Sequence, residues 1–426
     1  TQRATYYWAT LLQATGGNLK TAKCYWYLLS YKFSNGIATL KTLRDLSHHN
    51  IKIPQVQGDD VCIELKDNHT ASQVLGVWSS PGSTDNQHLK YMLQKGQEWF
   101  RRIKNSTLET QEVWQSFTTQ ALPSVKYGLI TLMTYRQEID DQFHGWYYQC
   151  LPSLGINRSI TKAWRTLPTE FQDLGLPNMS LEKLAASLTF LCQHWNNHTA
   201  VGKALRGTYE LCQLEIGLEG NFLTRNYNRF SILATHTWFK VLWELLDHYK
   251  VTLTLIDTKI APPRDNDYAL MEQVINTLPR HQWKAFNRVR HYYKVYFISQ
   301  ITSGDGKTVI PAYTTSRTIK ASSMRFPTEQ PSESDFEIWI SGLKSLTSPT
   351  LYLPSHWEPL LRHLIKMSYG KPQNNKQKSS NPWDLTITGS IERALLGTTL
   401  AITTPISIMR HALSLLLGHT MPVFPG

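Results

Sequence analysis

The stretch His88–Lys104, HLKYMLQKGQEWFRRIK, is where the hydrophobic period of this chain changes, and its reading decides the fold class. Leu89, Met92, Leu93, Trp99, Phe100 and Ile103 recur at helical spacing, while Lys90, Lys95, Arg101, Arg102 and Lys104 fall mostly between them. One face is apolar and the other cationic, which predicts an amphipathic basic helix. The same period continues downstream. Helices are predicted over 111–134, 137–151, 180–196, 200–216 and 231–250, and again over 268–300, where Pro279 interrupts. Upstream the pattern is mixed. Tyr6–Gln13 (YYWATLLQ) forms an apolar helical face that stops at Thr15-Gly16-Gly17, because glycine can take the positive φ of a helix end. Lys23–Phe33 (KCYWYLLSYKF) is aromatic-rich and partly alternating, as a strand is, and Ile51–Leu65 offers two more short strands around Gly58-Asp59-Asp60. The expected fold class is α+β: short hairpins at the N-terminus followed by a mainly α-helical region.

Composition bounds the partners. The 426 residues, 41% hydrophobic and 11% aromatic, suffice for packed cores and exceed one ordinary domain, so two or three units are expected. Lys and Arg number 44 against 32 Asp and Glu, a formal net charge of +12. The natural partner of that excess is a polyanion, whose condensed counterions are released on binding, although the same excess also serves solubility alone. Five scattered cysteines, with no CxxC pair, predict reduced, buried thiols and neither a disulfide framework nor a zinc knuckle. The chain opens on Thr1 with no basic segment leading into an apolar run, so no secretory signal is read and the start is expected to be a truncation. Ala394–Leu417 is apolar but broken by Pro405, Arg410 and His411, short of the roughly 20 uninterrupted residues of a spanning helix. An intracellular protein of the nucleus or cytoplasm, with no membrane partner, is expected. Beyond residue 322 the sequence turns Pro- and Ser-rich, and Gly370–Ser380 (GKPQNNKQKSS) reads as a flexible linker.

Asp59-Asp60 invites a metal-binding, polymerase-like reading, but Asp beside Gly is ordinary hairpin chemistry, and no preceding strand offers the further carboxylate that two-metal catalysis needs. Asp140-Asp141 falls inside a helical pattern, where the two side chains diverge by about 100°, as on a solvated face. No GxSxG elbow, no HExxH and no recognisable Cys/His pairing occurs, so no catalytic residue and no metal ligand is assigned. The segment Arg280–Gln300, RHQWKAFNRVRHYYKVYFISQ, carries the clearest binding signal. Arg280, Lys284, Arg288, Arg290 and Lys294 share one arc, and Phe286, Val289, Tyr293, Tyr296 and Phe297 fill the other, with Trp283 at the border. Between Arg280 and Arg325 nine Lys or Arg stand against one acid, Asp305, a pattern suited to tracking a phosphate backbone. The competing reading is a helix whose solvated face happens to be basic.

Three blocks follow one another along the chain. The first is the helix ATLLQ, the turn TGGNLKTAK and the strand CYWYLLSYKF; the second is Val74-Leu75-Gly76-Val77 followed by His88. The third is LPSVKYG (Leu122–Gly128), continued by SLGINRSITKAWRTLP and LGLPNMSLEKL. In this order they resemble the end of the palm and the start of the thumb of non-LTR (LINE-like) reverse transcriptases of diatom and algal type, over about residues 5 to 190. The resemblance implies that Lys23 lies near the phosphates of an incoming nucleotide, where charge on the leaving group must be offset. It also implies that Leu75 and Gly76 belong to a primer-grip-like hairpin. The pattern departs at Lys20, where asparagine is usual, and at Val74, where tyrosine is usual. The family's metal-binding aspartates precede the lysine motif, so Asp59-Asp60 stands in the wrong place, and no ribonuclease H carboxylates follow.

The resemblance thus implies a fragment of an RNA-directed DNA polymerase that holds a template–primer duplex and lacks the catalytic aspartates. Magnesium is needed only by the intact polymerase, and the missing partners are the upstream palm and fingers of the same polyprotein. Nucleic-acid contacts are expected from Arg101, Arg102, Lys104, Lys126, Arg280, Lys284, Arg288, Arg290 and Lys294. The expected domains are 1–87 (end of palm), 88–260 (helical thumb), 261–325 (basic helical connection) and 326–426 (poorly ordered tail). The alternative is a non-enzymatic basic helical scaffold or nucleic-acid-binding protein.

Overall fold

The computed structural model describes residues 2–353 apart from 35–36, 47–50, 56–57, 83–85, 167–173, 254, 256–259, 261, 263–266, 304–305 and 315–330. The chain is a mixed α+β protein of two compact units, one of Thr1–Ser34 with Ala38–Met133, the other of Asn35–Ile37 with Thr134 onward.

The first unit opens with α1 (Gln2–Ala14), which ends before Gly16 at φ +81, as its glycine pair predicts. The strands are β1 (Tyr25–Tyr27), β2 (Tyr31–Ser34), β3 (Ile37–Leu40), β4 (Ile51–Ile53), β5 (Val61–Lys66), β6 (Ser72–Val74) and β7 (Val77–Ser79). β5 is central in a three-stranded sheet, parallel to β1 and antiparallel to β4, while β2–β3 and β6–β7 are separate pairs. Ile51 and Ile53 are buried and Lys52 between them is exposed, the period-2 alternation of a half-buried strand. α1 lies on β4, with Ala9 buried and Gln2 exchanging hydrogen bonds with the amide and carbonyl of Lys52 (2.7 and 2.9 Å). The aromatic face of α1 points the other way: Tyr7, Trp8 and Leu11 are 57–60% exposed.

Helices α2 (Gln87–Lys104), α3 (Thr110–Ser116) and α4 (Leu122–Lys126) complete this unit. A widened turn, Phe117–Ala121, joins α3 to α4 where a continuous helix is the simpler expectation. Pro123 explains it. Proline has no N–H for the preceding turn and its ring crowds that turn's carbonyl, so the backbone opens locally and the apolar face continues through Phe117, Ala121 and Val125.

The second unit holds α5 (Arg136–Cys150), α6 (Lys162–Thr166), α7 (Met179–His194), α8 (Ala200–Ile216), α9 (Tyr227–Phe230), α10 (Trp238–Tyr249), α11 (Leu270–Thr277), α12 (Arg280–Tyr293) and α13 (Glu333–Leu346). A single core runs from Leu184 through Trp243 and Phe286 to Leu343. The division expected near residue 260 is therefore absent: side chains on both sides of it pack together, and the units divide between Met133 and Thr134 instead. α13 also corrects the expected tail. Ser332 caps it by accepting from the Asp335 amide, and Phe336, Trp339 and Leu343 bury against α12, where Gly342 allows the close approach of the Phe286 ring. The low-complexity stretch 370–380, the apolar run 394–417 and the cations Arg317, Lys320 and Arg325 lie outside the described residues. Of the cysteines, Cys150 and Cys212 are buried and Cys62 is exposed, against the expectation of buried thiols throughout. Among the described residues no helix is long and apolar enough to cross a membrane.

Candidate nucleic-acid interface

β6 and β7 are joined by Leu75 and Gly76, both left-handed (φ 49 and 85), the two-residue turn whose twist suits an antiparallel pair. A leucine in that region costs about 1–2 kcal/mol. Tyr127, at the end of α4, holds it there: its hydroxyl donates to the Leu75 carbonyl at 2.6 Å. The ring lies so close that a Cβ on Gly76 would meet Tyr127 Cε1 at 3.0 Å. His88, in the first turn of α2, closes the junction. Its Nδ1 accepts from the Trp78 amide (3.3 Å) and its Nε2 faces the Tyr127 carbonyl (3.2 Å), so the neutral Nε2–H tautomer satisfies both. Burial lowers the His88 pKa and keeps the ring neutral. Gly128, at φ +81, leaves the space that the imidazole fills. Val74–Val77, His88 and Tyr127-Gly128, far apart in the chain, thus meet in one place within the first unit.

Helix α2 leads away from this junction. Leu89, Met92 and Ile103 are buried, as its period predicts, and Trp99 donates to Ser116 Oγ at 3.0 Å. Lys90, Gln94, Gln97, Arg101 and Lys104 are all exposed. At 100° per residue they fall within an arc of about 80°, and at 1.5 Å per residue the stripe is about 21 Å long. That length matches some six nucleotide steps along one strand at about 3.4 Å each. Arg102 is exposed on an adjacent face, and Arg101, Arg102 and Lys104 also sit in the last turn, where cations favour the helix dipole. Lys126 is half-buried, one residue before Tyr127. Lys90 is not among the contacts expected from sequence. The spacing i, i+4, i+7, i+11, i+14 carries the signal that would have found it.

The cations of α12 are placed differently, and Arg290 must be corrected. It is fully buried and cannot touch a phosphate backbone. Its Nη2 donates to the carbonyls of Leu214 and Glu215 (2.6 and 2.8 Å), Nη1 to Val295 O (3.1 Å) and Nε to Asn287 Oδ1 (2.7 Å). It therefore caps the C-terminus of α8, whose last carbonyls have no partner within the helix. Gly217, left-handed at φ +77, makes room: a Cβ there would come within 2.6 Å of the guanidinium carbon. Burial lowers the Arg290 pKa to about 9, so the residue's charge is sustained by those carbonyls and not by water. Arg288 is also committed, in a 2.7 Å ion pair with the buried carboxylate of Asp335. Arg280 donates to the Asn228 carbonyl, and Lys294 is half-buried in the left-handed residue that ends the helix (φ 56). Only Lys284 is exposed with no hydrogen bond or ion pair among the described residues. The apolar arc is as predicted, since Phe286, Val289, Tyr293, Tyr296 and Phe297 are all buried, joined by Trp283.

Lys23 ends a single turn, Thr21–Lys23, ahead of β1 and is exposed. Asp59-Asp60 lies exposed at the β4–β5 turn. Asp140 pairs with Arg136 at 2.7 Å and Asp141 accepts from Gln137. Among the described residues no group of three or more His, Cys, Asp or Glu could hold a metal ion. Comparison with protein-family models, curated proteins and solved structures finds no match.

Proposed function

We propose that this chain is the palm-end and thumb portion of a non-LTR reverse transcriptase, holding a template–primer duplex by its backbone. The observation that carries the reading is the junction of the first unit. The second and third of the sequence blocks that resemble that family bring Leu75-Gly76, His88 and Tyr127-Gly128 together, and the exposed cationic stripe of α2 begins there. In this reading the catalytic aspartates and their magnesium belong to a region of the polymerase outside this chain. The chain binds and does not polymerise alone. Its work is intracellular, in the nucleus or cytoplasm, and the duplex contacts fall on Lys90, Arg101, Arg102 and Lys104 more than on α12.

The second reading, a basic helical scaffold with no nucleic-acid role, is favoured by α12, where Arg290, Arg288 and Arg280 all serve the fold. A salt titration of binding to a primed RNA template separates the two. Duplex holding gives a log–log slope of about −2 to −4, since each neutralised phosphate contributes about −0.9. An absence of binding at low salt leaves the scaffold.

A further inference from the structure

We propose that the outward face of α1 is a self-association surface, on which a second copy of this chain docks its own α1 in the antiparallel sense. This inference does not depend on the polymerase reading. The inward face of the helix is already occupied. Ala9 is buried, Gln2 bonds to the backbone of Lys52, and Gln13 Nε2 donates to the Pro54 carbonyl at 2.9 Å. The outward face is apolar and meets solvent: Ala4, Tyr7, Trp8, Leu11 and Ala14 are all exposed. Contiguous apolar surface of that extent on a helix marks an interaction site more often than a solvated one.

The spacing decides what fits there. Ala4, Tyr7, Leu11 and Ala14 follow one another at intervals of three, four and three residues. At 100° per residue they fall within an arc of about 80°, the seam of a two-stranded coiled coil. Trp8 and Thr10 flank the seam, each about 40° beyond its edge. About a two-fold axis level with residue 9, Tyr7 of each copy meets Leu11 of the other, and Ala4 meets Ala14. The large side chains make the central contact, and the alanines leave the helices free to cross. Charge supports the same arrangement. Arg3 is the sole charged residue of α1, and its guanidinium lies 5.6 Å from the centre of the Tyr7 ring. Antiparallel docking carries it to the C-terminal end of the other helix, whose last turn has no basic residue and whose dipole favours a cation. A parallel pair would set the two Arg3 side chains against each other.

The area is sufficient for a weak dimer. With about 200–250 Å² for a fully exposed aromatic side chain, the face leaves on the order of 450 Å² open per copy. Two copies bury roughly 900 Å², at the low end of specific interfaces, so a dissociation constant of about 10–100 µM is expected. The net charge of +12 opposes pairing, and salt screens that repulsion. Dimerisation should therefore tighten between about 50 and 300 mM salt, whereas binding to a nucleic-acid backbone weakens.

The test is sedimentation velocity of the full chain between about 1 and 200 µM. Trp8→Glu and Leu11→Glu should each weaken the dimer about tenfold or more, with the unfolding midpoint unchanged because neither side chain is buried. Crosslinking checks the register in the Cys62→Ser background, which removes the exposed thiol. Thr10→Cys places a thiol beside the two-fold axis and should give a covalent dimer with a short bismaleimide, whereas Tyr6→Cys, about 80° beyond the edge of the seam, should not. A monomer up to about 200 µM, or a dimer indifferent to both glutamates, overturns the proposal and leaves the face to a different protein segment. Equal crosslinking from positions 6 and 10 overturns the antiparallel register.

Discussion

Helices α2 and α12 look alike in sequence and differ in the fold. Both alternate apolar and basic residues at helical spacing, and both have their apolar residues inside. Yet α2 keeps Lys90, Arg101 and Lys104 in water, while α12 commits Arg290 to the carbonyls of α8 and Arg288 to Asp335. Periodicity states which residues share a face. It does not state whether that face meets solvent or another element. A cation count is therefore a weak guide to a binding surface until each charge has been followed to what it touches.

The comparison breaks most sharply at Arg290. Arg290→Met should destabilise the second unit by about 3–5 kcal/mol, because it strips the end of α8 and leaves buried carbonyls unpaired. Lys284→Gln, on the same helix, should stay within about 0.5 kcal/mol. Urea unfolding measures both, and an Arg290→Met chain that keeps its stability but binds nucleic acid less well would reverse the assignment.

Next in size is the triple change Lys90→Gln, Arg101→Gln, Lys104→Gln, expected to lower the salt slope of primed-template binding by roughly 2 to 3. Arg280→Gln with Lys284→Gln should lower it by less than about 1. Equal effects from the two sets would erase the distinction between the helices.

Smaller again is the hinge of the β6–β7 turn. Tyr127→Phe removes the hydrogen bond to Leu75 and should cost about 1 kcal/mol. Gly76→Ala adds left-handed strain of about 1–2 kcal/mol and crowds the Tyr127 ring. Thermal melts of the two variants, singly and together, measure the coupling. Strict additivity would show that the ring and the turn do not act as one.

The smallest effect is a pH dependence. The pKa of His88 is lowered on folding from 6.5, so its contribution is complete above pH 6.5 and fades as pH falls toward the folded value, where the unfolded chain takes up the proton first. Melts between about pH 7.5 and 5.5 should show a drop, to which His291 and His248, also lowered on folding, contribute and which His88→Gln makes smaller.

Much of the fold was legible. The 200–216 pattern coincides with α8, Pro279 separates α11 from α12, and the Gly58–Asp60 turn joins β4 to β5. Each rests on local chemistry that a short window contains. The boundary near 260 fails because a loop in the sequence need not separate one core from another, and only the packing of α8 and α10 with α12 reveals a single core. α13 is legible after the fact, since Ser332 and Asp335 form a capping box ahead of Phe336, Trp339 and Leu343 at helical spacing. Arg290 also leaves a trace. At 100° per residue it lies about 20° from Trp283 and 40° from Phe286, nearer the buried arc than the other cations of the helix.

Gly217 and Arg290 form a matched pair whose members cannot drift separately. Any side chain at 217 would evict the guanidinium, and any shorter residue at 290 would leave a left-handed glycine guarding an empty slot. Among descendants of this sequence the two positions should change together or not at all, a linkage visible in an alignment before any coordinates are consulted.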